Sequence, residues 1–273
     1  MEAALKLSGK VAIVTGAGSG IGRATALSLA LRGAALVIVG RSREKLAETA
    51  QLAHVRADRF PEIVIGDVAD EAVREAAIEA ARRRFGRLDI LVNNAGNVRA
   101  GRLEKIGVSE IRAMIEVDLV APILFTREAL PTLRESGEAV VVNVSSAIAL
   151  VGAPFYAAYA AAKAGLARFG EALRRELIGE GVHVLTVYPG ATETPMMATN
   201  KAGPELGFAR ETPEAVADAL VAGLENGELE VIRGGAMRLA MITANRERPA
   251  EVDERFGGLK ARLEEAVAGH RAL

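Results

Sequence analysis

Val11-Ala-Ile-Val-Thr-Gly-Ala-Gly-Ser-Gly-Ile-Gly22 joins a short apolar run to a cluster of glycines, and its reading decides the fold. An uncharged run rich in Val and Ile suits a strand buried on both faces, as in a parallel sheet. A glycine-rich turn follows, and the stretch 21–32 reads as a helix ending at Gly33. Glycines at a strand-to-helix junction let backbone N–H groups approach a pyrophosphate at the helix N-terminus, where the helix dipole favours negative charge. The spacing is Gly16-x-x-x-Gly20-x-Gly22, with Gly18 extra, rather than Gly-x-Gly-x-x-Gly.

Outward from this turn, strands and helices alternate. Further strands are expected at 36–39, 63–65, 88–92, 139–144, 182–187 and 229–232, with helices between them. A long helix is expected over 109–134 and another over 154–179, opened by Pro154. Thr212-Pro213 carries the N-cap and N1 signature of a further helix. Strict alternation implies an α/β chain: a doubly wound parallel sheet of about seven strands with helices on both faces, the Rossmann arrangement. No linker or repeat divides residues 1–273, so one domain is expected. Beyond Gly235 the pattern changes to a helical tail, 236–273, with an apolar piece over 236–245 and a charged amphipathic one over 250–270. That tail is expected to pack on its own domain or on a neighbouring subunit.

Composition narrows the functional classes. Half the 273 residues are hydrophobic, enough for a sizeable core, and the net charge of −1 argues against nucleic-acid binding. With no cysteine, disulfides, thiol catalysis and cysteine metal sites are excluded. His54, His183 and His270 are far apart in the sequence and form no metal motif, so no metal is expected. Met1-Glu-Ala-Ala-Leu-Lys6 does not read as a signal peptide, and no stretch reads as a membrane span; a cytoplasmic protein is expected.

The chemistry centres on Tyr159-Ala-Ala-Ala-Lys163, thirteen residues after Ser146. Four residues apart on a helix, the phenol and the ammonium share a face. A nearby positive charge favours the phenolate and pulls the tyrosine pKa down from about 10. Such a group can exchange protons with an alcohol or a carbonyl. Taken alone, the pair is indistinguishable from a surface tyrosine and lysine.

Four motifs in order resemble those of the short-chain dehydrogenase/reductase family, in its one-domain branch: Thr15 to Gly22, Asn93-Asn-Ala-Gly96, Ser146 with Tyr159 and Lys163, and Pro189-Gly190 followed by Thr194. The resemblance covers most of residues 7–195. It implies that Gly16, Ser19, Gly20, Ile21 and Gly22 wrap a dinucleotide pyrophosphate, and that Asp67 and Val68 meet the adenine. Asn94, Ala95 and Gly96 would line the ribose and nicotinamide, and Pro189, Gly190 and Thr194 would hold the carboxamide. Tyr159 would be the acid–base. Ser146, rather than its neighbour Ser145, would hold the substrate oxygen, and Lys163 would lower the tyrosine pKa and grip the nicotinamide ribose. Self-pairing into a homodimer or homotetramer through the helices at 109–134 and 154–179 follows from the same resemblance.

The second strand ends at Gly40, where NAD-binding relatives carry an acid, and Arg41 follows with Ser42 and Arg43. Without a carboxylate to repel a 2′-phosphate, and with a guanidinium to pair with it, NADP is expected rather than NAD. One position departs from the family. Its usual asparagine, twenty-five residues after Asn93, is Asp118 here. Its charge could stabilise the Lys163 ammonium, or weaken that ammonium's pull on Tyr159.

The pocket walls are expected from 147–156, the loop after Gly96, and 196–208. They include Leu150, Val151, Phe155, Tyr156, Met196, Met197 and Phe208, which suit an apolar alcohol or ketone. The leading expectation is hydride transfer between NADP(H) and a secondary alcohol or ketone. A nucleotide-binding regulator without turnover is the alternative, and another reaction on the same platform, such as epimerisation, ranks below both.

Overall fold

A computed structural model describes residues 5–57 and 60–272. Of the N-terminal stretch read as lacking a signal peptide, the first four residues lie outside the described part. Seven parallel strands form the central sheet: β1 (Val11–Thr15), β2 (Ala35–Gly40), β3 (Glu62–Ile65), β4 (Ile90–Asn93), β5 (Ala139–Val144), β6 (Val182–Tyr188) and β7 (Glu230–Ile232). Their order across the sheet is β3-β2-β1-β4-β5-β6-β7, with Val11 opposite Ala35 and Ile13 opposite Leu91. This is the doubly wound Rossmann arrangement, and the order reverses between β1 and β4. The crevice at that switch, beyond the carboxyl ends of the strands, is where ligands of such sheets bind.

Helices α1 (Gly20–Leu31), α2 (Arg43–Ala57) and α7 (Pro213–Glu225) cover one face, packing Leu27, Leu46 and Leu220 on Val14, Ile38 and Val142. On the other face, α3 (Glu71–Phe85) and the helices after β4 and β5 bury Ile78, Phe125 and Leu173 against Ile13, Leu91 and Val141. Burial on both sides accounts for the uninterrupted apolar runs of β1, β2 and β5, whereas the edge strand β3 leaves Ile63 and Ile65 partly exposed. At the start of α7, Thr212 Oγ1 accepts the Ala215 N–H at 3.2 Å, the N-cap its sequence announces.

Two helices depart from the sequence expectation. The span 109–134 is not one regular α-helix. It runs as α4 (Val108–Ile115), a π-helical segment Glu116–Val120 and α5 (Ala121–Glu135). Pro122 has no N–H to give the Asp118 carbonyl, and Ala121 instead bonds Glu116, five residues back. The helix carrying Tyr159 begins at Ala157, not Pro154: α6 is Ala157–Glu176. Phe155 sits at φ 73°, a left-handed conformation in which a right-handed helix cannot continue.

The tail packs on its own chain. Helices α8 (Gly235–Glu247) and α9 (Pro249–Val267) follow β7, and Arg271–Ala272 pairs antiparallel with Val98–Arg99. Leu263 and Val267 pack with Val98, Phe155 and Tyr156, and Arg102 pairs with Glu264. Among the described residues, no helix is long and apolar enough to cross a membrane.

Candidate active site

One cavity of about 430 Å³ runs along the carboxyl edge of the sheet. The glycine turn borders it where β1 gives way to α1. Gly16 and Gly20 have φ 65° and 53°, conformations only glycine adopts freely. At Gly22 an added Cβ would lie 2.4 Å from both the Gly16 carbonyl oxygen and Asn94 Nδ2. The turn is held from below by Thr15. Its hydroxyl donates to the Val92 carbonyl at 3.1 Å and accepts the Asn94 and Ala95 N–H groups at 2.8 and 2.9 Å. The loops after β1 and β4 are therefore one hydrogen-bonded unit. Gly22→Ala is expected to cost about 1–3 kcal/mol of stability through overpacking and to weaken dinucleotide binding. Thermal unfolding and cofactor titration of the variant check this.

Asp67 and Val68 line the cavity beyond β3, and Thr194, Pro189 and Gly190 line it beyond β6. All the residues expected to hold a dinucleotide border this one space. At the end of β2, Arg41 lines it as expected, joined by Ser42 and by Lys45 from α2, while Arg43 does not. The Glu44 carboxylate is taken up by the Ser42 hydroxyl at 2.9 Å and does not line the cavity. The cradle thus fits a dinucleotide: glycines where side chains would intrude, a helix N-terminus, and cations without an acid at the end of β2.

Ser145, Ser146, Tyr159 and Lys163 converge on the same cavity. Ser146 caps a single 3₁₀ turn, accepting the Ile148 N–H at 3.3 Å. Ser145 points elsewhere, its hydroxyl donating to the Lys163 carbonyl at 2.8 Å. The Lys163 ammonium lies 5.8 Å from the centre of the Tyr159 ring and donates to the Val144 carbonyl at 3.2 Å.

Asp118 completes the group from behind. The π-helical segment carries it inward, fully buried, with Oδ1 3.0 Å from Lys163 Nζ. Both its oxygens accept the Asn97 N–H at 3.2 Å. Gly96 makes this possible, because an added Cβ there would sit 2.7 Å from Asp118 Oδ1. Burial raises the Asp118 carboxyl pKa, while the Lys163 charge pulls it down. Burial disfavours the Lys163 ammonium, but Asp118 and Tyr159 outweigh it and hold the lysine above its usual value. Both alternatives weighed from the sequence are present together: Asp118 stabilises the ammonium and also opposes its effect on Tyr159.

The expected fall in the Tyr159 pKa is not what the structure gives. Burial pushes the phenol above its usual value; Lys163 and a Ser146 hydrogen bond pull it down, and Asp118 pushes it up. Desolvation is the largest of these effects, and charge spacing along a helix does not reveal it.

The substrate walls match in part. Val151, Tyr156, Met196, Met197 and Phe208 line the cavity; Leu150 and Phe155 do not, being packed into the apolar clusters beside it. The tail, whose length is compatible with covering the site, supplies walls that no motif singles out residue by residue: Arg238 and Met241 from α8, Arg255, Phe256 and Leu259 from α9, and His270. Buried His270 fixes Tyr156: His270 Nδ1 lies 2.7 Å from the Tyr156 hydroxyl, which also accepts Asn200 Nδ2 at 2.8 Å. His270 Nε2 lies 3.0 Å from the Met196 carbonyl, so it carries the proton and Nδ1 accepts from Tyr156.

Residues 10–205 match the family model described as short chain dehydrogenase. Among curated proteins, a ketoacyl reductase of Nostoc sp. is 34% identical over 228 residues, covering 83% of this chain and 79% of its own. A 3-oxoacyl-[acyl-carrier-protein] reductase of Thermotoga maritima is 34% identical over 192 residues, 70% of this chain and 78% of the relative. Among solved structures, L-sorbose reductase from Gluconobacter frateurii, complexed with NADPH and L-sorbose, superposes with a TM-score of 0.78 at 27% identity, covering 86% and 99% of the two chains. The 3-ketoacyl-(acyl-carrier-protein) reductase from Brucella melitensis, complexed with NADH, gives 0.77 at 31% identity over 85% and 99%.

Proposed function

The chain belongs to the short-chain dehydrogenase family, and from that premise we propose that it interconverts a ketone and a secondary alcohol with NADP(H). What supports this reading is the convergence of Ser146, Tyr159 and Lys163 on the cavity that the glycine turn borders. Gly16, Ser19, Gly20, Ile21 and Gly22 would hold the pyrophosphate, Asp67 and Val68 the adenine, and Asn94 to Gly96 with Pro189, Gly190 and Thr194 the nicotinamide end. When bound, the dinucleotide supplies or accepts the hydride.

The proton is the work of this chain. In reduction, Tyr159 gives its phenolic proton to the carbonyl oxygen as the carbon becomes an alcohol; in oxidation the phenolate takes it back. The Ser146 hydroxyl donates a hydrogen bond to the same oxygen and keeps it beside the phenol. The Lys163 ammonium, held by Asp118 and Val144, stabilises the phenolate left after transfer. Lys163 is buried, while Ser146 and Tyr159 are half-buried on the cavity wall, and the low dielectric on the protein side strengthens the interactions among them.

For the choice of NADP, Arg41 and Lys45 support the reading, since either can pair with a 2′-phosphate. Arg41→Ala is expected to raise the KM for NADPH by about tenfold to a hundredfold, the loss of a charge-assisted contact, and to leave that for NADH nearly unchanged. Equal increases for both cofactors would remove the assignment.

The activity itself is tested by following NADPH oxidation over chemically diverse ketones and aldehydes. Tight NADPH binding without turnover of any carbonyl would favour the alternative of a nucleotide-binding regulator.

A further inference from the structure

The cavity wall built by the tail carries charge that the chain does not neutralise. Arg238 lies in the first turns of α8 and lines the cavity half-buried. Its side chain folds back over Gly234, where an added Cβ would sit 2.9 Å from Arg238 Cβ and 3.2 Å from Nε. Helical side chains lean toward the N-terminus, and Gly234, at φ 109°, leaves this one the room to do so. Among the described residues, Arg238 has no ion-pair or hydrogen-bond partner.

Asp67 is the one carboxylate among the lining residues, and it follows β3. That strand is the sheet edge opposite β7, from which α8 emerges, so Asp67 belongs to the other end of the cavity. Apart from Arg255 of α9, which is exposed where Arg238 is half-buried, the rest of the wall that α8 and α9 supply is apolar. Met241, one turn further along α8, and Phe256 of α9 pack with Val151 in one cluster, and Leu259 lines the cavity beside them. Desolvation with no opposing charge pulls the Arg238 guanidinium below its usual pKa. A half-buried cation facing an apolar cavity is costly unless something pairs with it. A single planar guanidinium matches a single carboxylate in charge and in bidentate geometry.

We propose that Arg238 is a specificity residue that receives a carboxylate borne at the end of an apolar chain, so that the ligand of this cavity is an amphipathic carboxylate. In so far as that ligand is the substrate, this rests on the reading above. It then narrows the substrate to an oxo- or hydroxy-carboxylate whose carboxylate stands apart from the reacting carbon. The apolar chain lies on Met241, Phe256 and Leu259, and the tail selects what the catalytic group reduces.

Titration calorimetry of the NADPH-saturated protein with octanoate and with 1-octanol tests the proposal without requiring turnover. Octanoate is expected to bind at least about tenfold more tightly, the value of a charge-assisted hydrogen-bonded contact. Arg238→Met is expected to erase that advantage, and Arg238→Lys to keep part of it. Arg246→Met, on the same helix but outside the cavity lining, is expected to leave it intact. Equal affinity for the two ligands, undetectable octanoate binding, or an advantage that survives Arg238→Met would overturn the proposal. So would a fall in NADPH affinity in Arg238→Met, because the guanidinium would then serve the cofactor. If the carbonyl screen finds no turnover while octanoate still binds through Arg238, the oxidoreductase reading fails and this inference stands.

Discussion

Tyr159→Phe is expected to lower kcat for ketone reduction by about 10²–10⁴-fold, the usual weight of a positioned acid–base group, and to change NADPH affinity only a few-fold. The substitution removes one oxygen and leaves the ring, which packs in the apolar cluster with Phe155, Tyr156 and Leu263. Stability should therefore change little. The second phenol in the cavity is the natural rival. Tyr156 has its ring centre 6.4 Å from that of Tyr159, but its hydroxyl proton is committed to His270 and its oxygen to Asn200. Burial pushes its pKa upward, and no ammonium opposes that push. Tyr156 thus lacks the cation that can stabilise a phenolate. Steady-state kinetics with NADPH and a reactive ketone check the prediction. If Tyr159→Phe keeps activity within about threefold of the parent, acid–base chemistry of the usual weight lies elsewhere.

The parts of the site that could be read from sequence are those in which backbone geometry dictates residue type. Gly16, Gly20 and Gly22 are glycine because a Cβ would strain or collide, so the turn was legible before any contact was known. The strands were legible because two-sided burial leaves an uninterrupted apolar run, as in Val11–Thr15 and Ala139–Val144. The tail was less legible. Arg238, Phe256 and Leu259 look like residues of any amphipathic helix, and only the packing of α8 against Val151 turns them into cavity walls. His270 resembles a lone surface histidine until the pairing of Arg271–Ala272 with Val98–Arg99 brings it to Tyr156. Lys45 is one more exposed lysine on α2 until β2 delivers that helix to the cavity edge. The π-helical segment did leave a trace, Pro122, since a proline inside a helical pattern announces a lost hydrogen bond. Its consequence, the inward turn of Asp118, depends on the Asn97 N–H and Lys163 that face it.

Asp118 is where the largest change in stability is expected. Lys163 and Asp118 form an ion pair with side-chain exposures of 4% and 0%. Asp118→Leu leaves the ammonium buried without its counter-charge and the Asn97 N–H without its acceptor, so a loss of about 3–5 kcal/mol is expected. Asp118→Asn keeps one acceptor oxygen for the two donors and should cost less. The three proteins are thus expected to unfold thermally in the order Leu, Asn, parent. The asparagine variant also isolates the charge. Asp118 disfavours the Tyr159 phenolate, so removing its charge lowers the phenol pKa while Lys163 remains protonated. Oxidation of an alcohol requires the phenolate, and its rate rises with pH as that form is populated. The rising limb of the kcat profile for oxidation is therefore expected to move to lower pH in Asp118→Asn. An opposite shift would mean that Lys163, deprived of its carboxylate, has lost its proton first and with it the pull on Tyr159. An unchanged limb would show that the Asp118 charge does not reach the proton relay, reducing Asp118 to a packing role beneath Gly96.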